Sequence, residues 1–152
     1  MDFNDRATGD AAILVVTTQI LLTLGRGTSL ISLIHPFTLV QVLLGGLFFW
    51  VVYSGALYVV SRHLFDATGH YAIYLRITGF AYPTLLLVVF TAILLNSPLF
   101  ALLLGGAWFV LIVANGLTYT VDLGMQKAVA AAIGGYILVV IVQAIFGSIW
   151  LF

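Results

Sequence analysis

Between Arg76 and Asp122 the chain runs through residues 77–121, 45 consecutive positions, without one Asp, Glu, Lys, Arg or His. At 1.5 Å of rise per helical residue that run reaches about 68 Å, roughly twice the 30 Å core of a bilayer. It must fold back on itself, and Asn96-Ser97-Pro98 is its one strong turn signal. Two spans near 80–95 and 98–117, joined by a tight hairpin, are therefore expected. The same measure gives spans at 8–25, with Asp10 at the headgroups, and at 128–151. Another, at 37–60, follows His35-Pro36, where proline suits the first turn of a helix. Apolar residues make up 63% of the 152 residues and charged residues 7%. A globule of this size has too little interior to hide so much apolar surface from water. The expected fold is an all-α, polytopic membrane protein, a bundle of five transmembrane helices in one domain over residues 1–152.

The few charges orient such a bundle. An odd number of spans puts the termini on opposite sides. With the N-terminus inside, the cytoplasmic segments hold Arg6, Arg62, Arg76 and Lys127, and the outside holds Arg26. The excess of basic residues favours N-in and C-out. The opening "MDFNDR" lacks the positive start of a secretion signal, and no small-x-small cleavage site follows, so a retained first helix is expected. Net charge is zero with no basic tail, which removes the attraction a nucleic-acid binder relies on. Cys is absent, excluding disulfides and thiolate metal sites.

Five of the thirteen ionisable Asp, Lys, Arg and His residues fall between Arg62 and Arg76. Residues 61–79 are expected to be the principal cytoplasmic loop. Within it "HYAIYLRITGF" forms a short interfacial helix before the third span, with Tyr71, Tyr74 and Phe80 at headgroup level. Arg62 and Arg76 are the candidates for contact with anionic headgroups or a partner's acidic surface, each contributing about 1 kcal/mol there.

The entry to the third span, Gly79-Phe80-Ala81-Tyr82-Pro83, and Gly116 followed by Lys127-Ala128 before the fifth, stand in a characteristic order within the five spans. In this the chain resembles the Yip (Ypt/Rab-interacting protein) domain family, in particular its minimal prokaryotic members, over about residues 8–150. The resemblance implies a five-helix membrane domain with a cytosolic N-terminus. It also implies, from the eukaryotic relatives, association with prenylated Rab-type GTPases and with one another. The chain lacks that branch's acidic Asp-Leu-x-Gly-Pro entry to the first span and its long cytosolic N-terminal region, and both departures count against GTPase binding.

His63, Asp66 and His70 have i, i+3, i+7 spacing and ligand types that zinc accepts, but Thr68-Gly69 interrupts any helix there and plain loop polarity accounts for them. Glu is absent from the chain, and no nucleophile-elbow or His-Glu-x-x-His pattern occurs. No catalytic or cofactor-binding residue is expected. Gln19, Gln41 and Gln143 fall within spans, and at least two of these amides are expected to meet inside the bundle and fix helix register. Asn115 is expected to cap a helix end or touch water. Gly45-Gly46, Gly105-Gly106 and the i, i+4 pairs Ala128/Ala132, Ala130/Gly134 and Ala131/Gly135 offer faces for close helix packing, within the monomer or against another subunit. The leading reading is a non-enzymatic scaffold in a prokaryotic cell membrane, working through lipids, other membrane proteins or self-association. The alternatives are a small oligomeric transporter or channel, lined by Thr17, Gln19, Gln41, Tyr53 and Gln143, and an accessory subunit of a larger membrane complex.

Overall fold

The structure, a computed structural model, describes residues 3–146 apart from Arg26, Thr28, Leu30, Ser32 and Leu33. Within the helices the side chains of Phe3, Asn4, Asp5, Pro98, Leu102, Val140, Gln143, Ala144 and Phe146 lie outside the description.

Among the described residues, six helices form one bundle. Helix α1 is Phe3–Gly25, α2 is Pro36–Phe65 and α3 is Tyr71–Ala81. A 3₁₀ turn, Tyr82–Leu85, joins α3 to α4, Leu86–Leu95; α5 is Pro98–Thr120 and α6 is Met125–Phe146. Among the described residues, four stretches are long and apolar enough to cross a membrane: Arg6–Gly25, Pro36–Phe65, Tyr71–Leu95 and Leu99–Thr120. α6 is apolar over Met125–Val139, a shorter stretch than those four, and packs against α2 and α5. The protein is thus an all-α, membrane-embedded bundle.

The helix boundaries follow local chemistry. His35 is extended and Pro36 opens α2, so the proline's missing N–H costs nothing there. The fold-back falls at Asn96-Ser97-Pro98: Asn96 takes the left-handed conformation, Ser97 is extended, and Pro98 begins α5. Asn is one of the residues that tolerates positive φ, so the turn needs no glycine.

The third crossing differs from expectation. The segment from Tyr71 does form a short separate helix, but that helix is the first half of a 25-residue crossing rather than one laid across the bundle end. Tyr74, Thr78, Gly79 and Ala81 are buried, and α3 packs against α1, α2 and α5. Pro83 is absorbed by tightening one turn to 3₁₀ geometry, so it marks the middle of this crossing and not its start.

Successive crossings alternate in direction. Thr8 meets Arg76 and Gln19 meets Tyr82, so α1 runs alongside α3 in the same sense. Ser54 meets Thr78 and Phe49 packs on Tyr82, so α2 opposes α3. Two apolar clusters fill the interior. The larger is built around Tyr53, Leu57, Phe109, Val113 and Leu117, and the smaller around Ala11, Val15 and Trp50.

Candidate functional site

The charged end of the bundle carries the chemistry. α2 stops at Phe65 because Asp66 turns left-handed (φ 51°), which lets the N–H groups of Asp66 and Ala67 both donate to the Ser61 carbonyl. That closure satisfies carbonyls a helix end otherwise leaves bare. Thr68, Gly69 and His70 follow, and α3 starts at Tyr71 with an extended His70 whose side chain makes no capping bond. The second loop is built alike. Val121 donates to the Leu117 carbonyl, Asp122 is left-handed (φ 54°), and α6 begins at Met125.

The two loops adjoin. A Cβ built on Gly69 would lie 2.7 Å from Val121 Cγ1 and 2.9 Å from Tyr74 Cε2, so only glycine lets the chain pass here. Two clefts of about 590 and 440 Å³ share Asp66, Ala67 and Thr68 and form one groove across this end. Arg62, Gly69 and His70 line the smaller part; Asp122, Gln126 and Lys127 line the larger.

Arg62 is held in place. Its Nη1 donates to Tyr58 Oη at 2.7 Å, and its guanidinium lies 5.7 Å from the centre of the Tyr58 ring. Tyr58 in turn meets Tyr71 and Tyr74 edge-on. Beneath the loop, Ser61 Oγ and Tyr74 Oη are buried neighbours whose alignment falls short of a good hydrogen bond. A buried polar group in that condition costs about 1–3 kcal/mol, which makes the pair unusual. The groove thus offers charges of both signs, the His70 imidazole and the Thr68 hydroxyl.

The other sequence-derived residues are placed as follows. His63, Asp66 and His70 are exposed, and among the described residues no three His or Asp side chains converge on a common point. Arg76 is partly exposed in the second turn of α3, and its Nε donates to Thr8 Oγ1 on α1 at 3.1 Å. Gln19 is paired, though with Tyr82 rather than another glutamine: Tyr82 Oη donates to its Oε1 at 3.0 Å. Gln41 is exposed, because its position on α2 faces away from α1, and the Gln143 side chain lies outside the described residues. The entry motif Gly79, Tyr82, Pro83 sits at the heart of the third crossing, where Tyr82 is buried.

Small residues divide by helix face. Gly46 faces Gln19, Gly105 faces Val88, and Gly135 faces the Leu57 backbone at 3.3 Å from its would-be Cβ. Gly45, Ala128, Ala131 and Ala132 are buried too. Gly134 faces the Val60 side chain, 3.2 Å from its would-be Cβ. Gly106 meets nothing and Ala130 is exposed; each is one residue, about 100° of helix, off the packing face. Asn115 is exposed on α5, and its carbonyl accepts from Thr118 Oγ1.

The residues proposed for a polar path do not share a cavity in the described structure. Thr17 and Gln41 are exposed, and Tyr53 is buried with its hydroxyl donated to the Ala132 carbonyl. Sequence reasoning overlooked the internal polar contacts that hold α2 to α3. Trp50 Nε1 donates to the Leu75 carbonyl at 2.9 Å, and the Ser54 and Thr78 hydroxyls meet at 2.6 Å. Trp50 and Ser54 stand one helical turn apart, as do Leu75 and Thr78, and that matched spacing was the available signal.

Set against family profiles, curated proteins and solved structures, the chain gives no match in any of the three comparisons.

Proposed function

We propose that this protein is a non-enzymatic membrane scaffold of the Yip-like kind, acting through other membrane proteins or lipids at its charged end. One observation carries the reading. Inside the bundle the hydrogen-bonding side chains are largely turned on one another or on backbone, as in Ser54–Thr78, Tyr82–Gln19, Trp50–Leu75 and Tyr53–Ala132. The fixed, unpaired charge lies in the groove formed by the loops at 66–70 and 121–124. Interhelical bonds of this kind lock helices in register at about 0.6 kcal/mol each, which suits a rigid frame presenting one surface. Kinship with the prokaryotic Yip-like proteins is supported by the all-α bundle and by the tight hairpin at Asn96-Ser97-Pro98 after the third crossing. A prokaryotic cell membrane with this end cytoplasmic is supported by Arg6, Arg62, Arg76 and Lys127 lying toward one end of the bundle.

The test is co-purification from membranes at native expression level, with wild type beside the double variant Arg62→Glu, Lys127→Glu. A specific partner set or anionic-lipid association that the variant loses is the expected result. Identical behaviour of the two proteins in pull-down and liposome flotation counts against the scaffold reading.

A further inference from the structure

We infer that α5 carries, on its outward face, the seam of a two-fold dimer with a second copy of this chain. The contact lies inside the bilayer, away from the charged end, and is independent of the scaffold reading. The two sides of α5 differ. Ala101, Gly105, Phe109, Val113 and Leu117 recur every four residues and are buried against the bundle. Leu104, Trp108, Leu111 and Asn115 follow at spacings of four, three and four and are all exposed. That second spacing is the heptad seam along which two helices interlock knobs into holes.

An outward apolar stripe alone needs only lipid. This one carries two hydrogen-bonding side chains, and among the described residues neither the Trp108 indole nor the Asn115 amide has a partner. Depth makes that costly. With the turn at Asn96-Ser97 at one boundary, Trp108 stands ten residues beyond Pro98, about 15 Å along α5 and in the middle of the bilayer core. Tryptophan in a membrane ordinarily sits at headgroup level. Asn115 lies about 25 Å along the helix, still within a core of roughly 30 Å. Helical side chains lean toward the N-terminus of their helix, so this short one leaves α5 toward the core and away from the nearest headgroups. Inside the bundle the same groups are satisfied by a neighbouring helix: Trp50 donates to the Leu75 carbonyl, and Gln19 accepts from Tyr82.

A second α5 supplies what both groups lack. All copies insert in one orientation, so residues of equal number come to equal depth across a two-fold axis. Asn115 then faces Asn115 of the other copy, and an amide, being both donor and acceptor, is its own complement. The Trp108 indole finds acceptors in the carbonyls of the facing helix, as Trp50 does within the bundle. Ala107, exposed beside Trp108, keeps that side of the seam thin enough for the backbones to approach. A lone amide at a seam position also fixes register, because any slip strands both amides in hydrocarbon.

The experiment uses the full chain, which has no native cysteine. Leu111→Cys and, as a control on the exposed face of α1, Ile13→Cys are oxidised in membranes. Dimer affinity is measured by energy transfer between labelled copies diluted in liposomes. Leu111→Cys is expected to give a covalent homodimer and Ile13→Cys none. Asn115→Leu is expected to weaken the dimer by about fivefold or more and Trp108→Phe by a smaller factor. Asn115→Gln, which keeps an amide at the seam, is expected to retain most of the affinity. The altered side chains face outward, so the variants stay folded, and thermal melts verify it. A chain that stays monomeric in liposomes, a crosslink at position 13 as strong as at 111, or equal affinity of Asn115→Leu and wild type each overturns the assignment. A crosslink at 111 only to a different protein overturns it as well and leaves the scaffold reading standing.

Discussion

Gly79 shows how tightly single residues are fixed where helices cross. A Cβ there would lie 2.6 Å from Ala11 Cβ and 3.1 Å from Trp50 Nε1, and neither neighbour can swing aside, because one is a methyl on α1 and the other is tied to the Leu75 carbonyl. Gly79→Val is expected to cost about 1–3 kcal/mol or to prevent folding, whereas Gly106→Val, facing open space, leaves the melting temperature unchanged. Size-exclusion profiles and thermal melts of the two variants check this. The buried hydroxyls give a sharper contrast. Thr78→Val removes the bond to Ser54 and is expected to destabilise by roughly 0.6 kcal/mol in a reversible unfolding assay. Tyr74→Phe removes a hydroxyl whose contact with Ser61 Oγ is poorly aligned, so it is expected to be neutral or slightly stabilising in lipid-free detergent. A large loss from Tyr74→Phe would mean that this hydroxyl is hydrogen-bonded in solution.

At the scale of elements, most of the fold was legible in the sequence, and the exception has a physical cause. The charge-free run from 77 to 121 forces a hairpin, and Asn96-Ser97-Pro98 is where it turns, because those three residues favour in sequence what the turn demands. The third crossing was misjudged because Tyr71, Tyr74, Arg76 and Phe80 look like headgroup residues when read one at a time. Inside the bundle the guanidinium reaches Thr8 on α1, the Tyr82 hydroxyl reaches Gln19, and Tyr74 is enclosed under the 66–70 loop. Single-sequence reasoning cannot see a partner some sixty residues away. The groove was invisible for a related reason: Asp66 and Asp122 are 56 positions apart in the chain (122 − 66), and only the alternation of helices brings their loops together. The absence of native cysteine makes a clean test possible. Single cysteines at positions 68 and 122 are expected to react with a membrane-impermeant maleimide, and those at 74 and 78 to stay unlabelled in the folded protein. Labelling at 78 as fast as at 68 would restore α3 to the membrane surface.

For the molecule as a whole, the contacts fix which loops share an end. Thr8 beside Arg76 joins the start of α1 to the start of α3, and Gly69 against Val121 joins the loop after α2 to the loop after α5. The turn at Asn96-Ser97 lies at the other end, a full α4 and 3₁₀ turn beyond α3. Arg6, Arg62, Arg76 and Lys127 therefore lie toward one end, and the proposed orientation, with that end cytoplasmic, follows from the tendency of basic ends to stay inside. Paired reporters, one fluorescent only in the cytoplasm and one active only outside it, are expected to agree on three sites. Fusions after residues 67 and 122 report the cytoplasm, and a fusion after residue 96 reports the exterior. Reversing the charge balance probes the cause: with Arg62 and Lys127 both changed to Glu, a fraction of chains is expected to insert inverted, lowering the cytoplasmic signal at 122 while raising it at 96. If 67 and 122 report opposite sides in the wild type, the alternation of the helices is wrong, and the groove that depends on bringing those two loops together cannot exist.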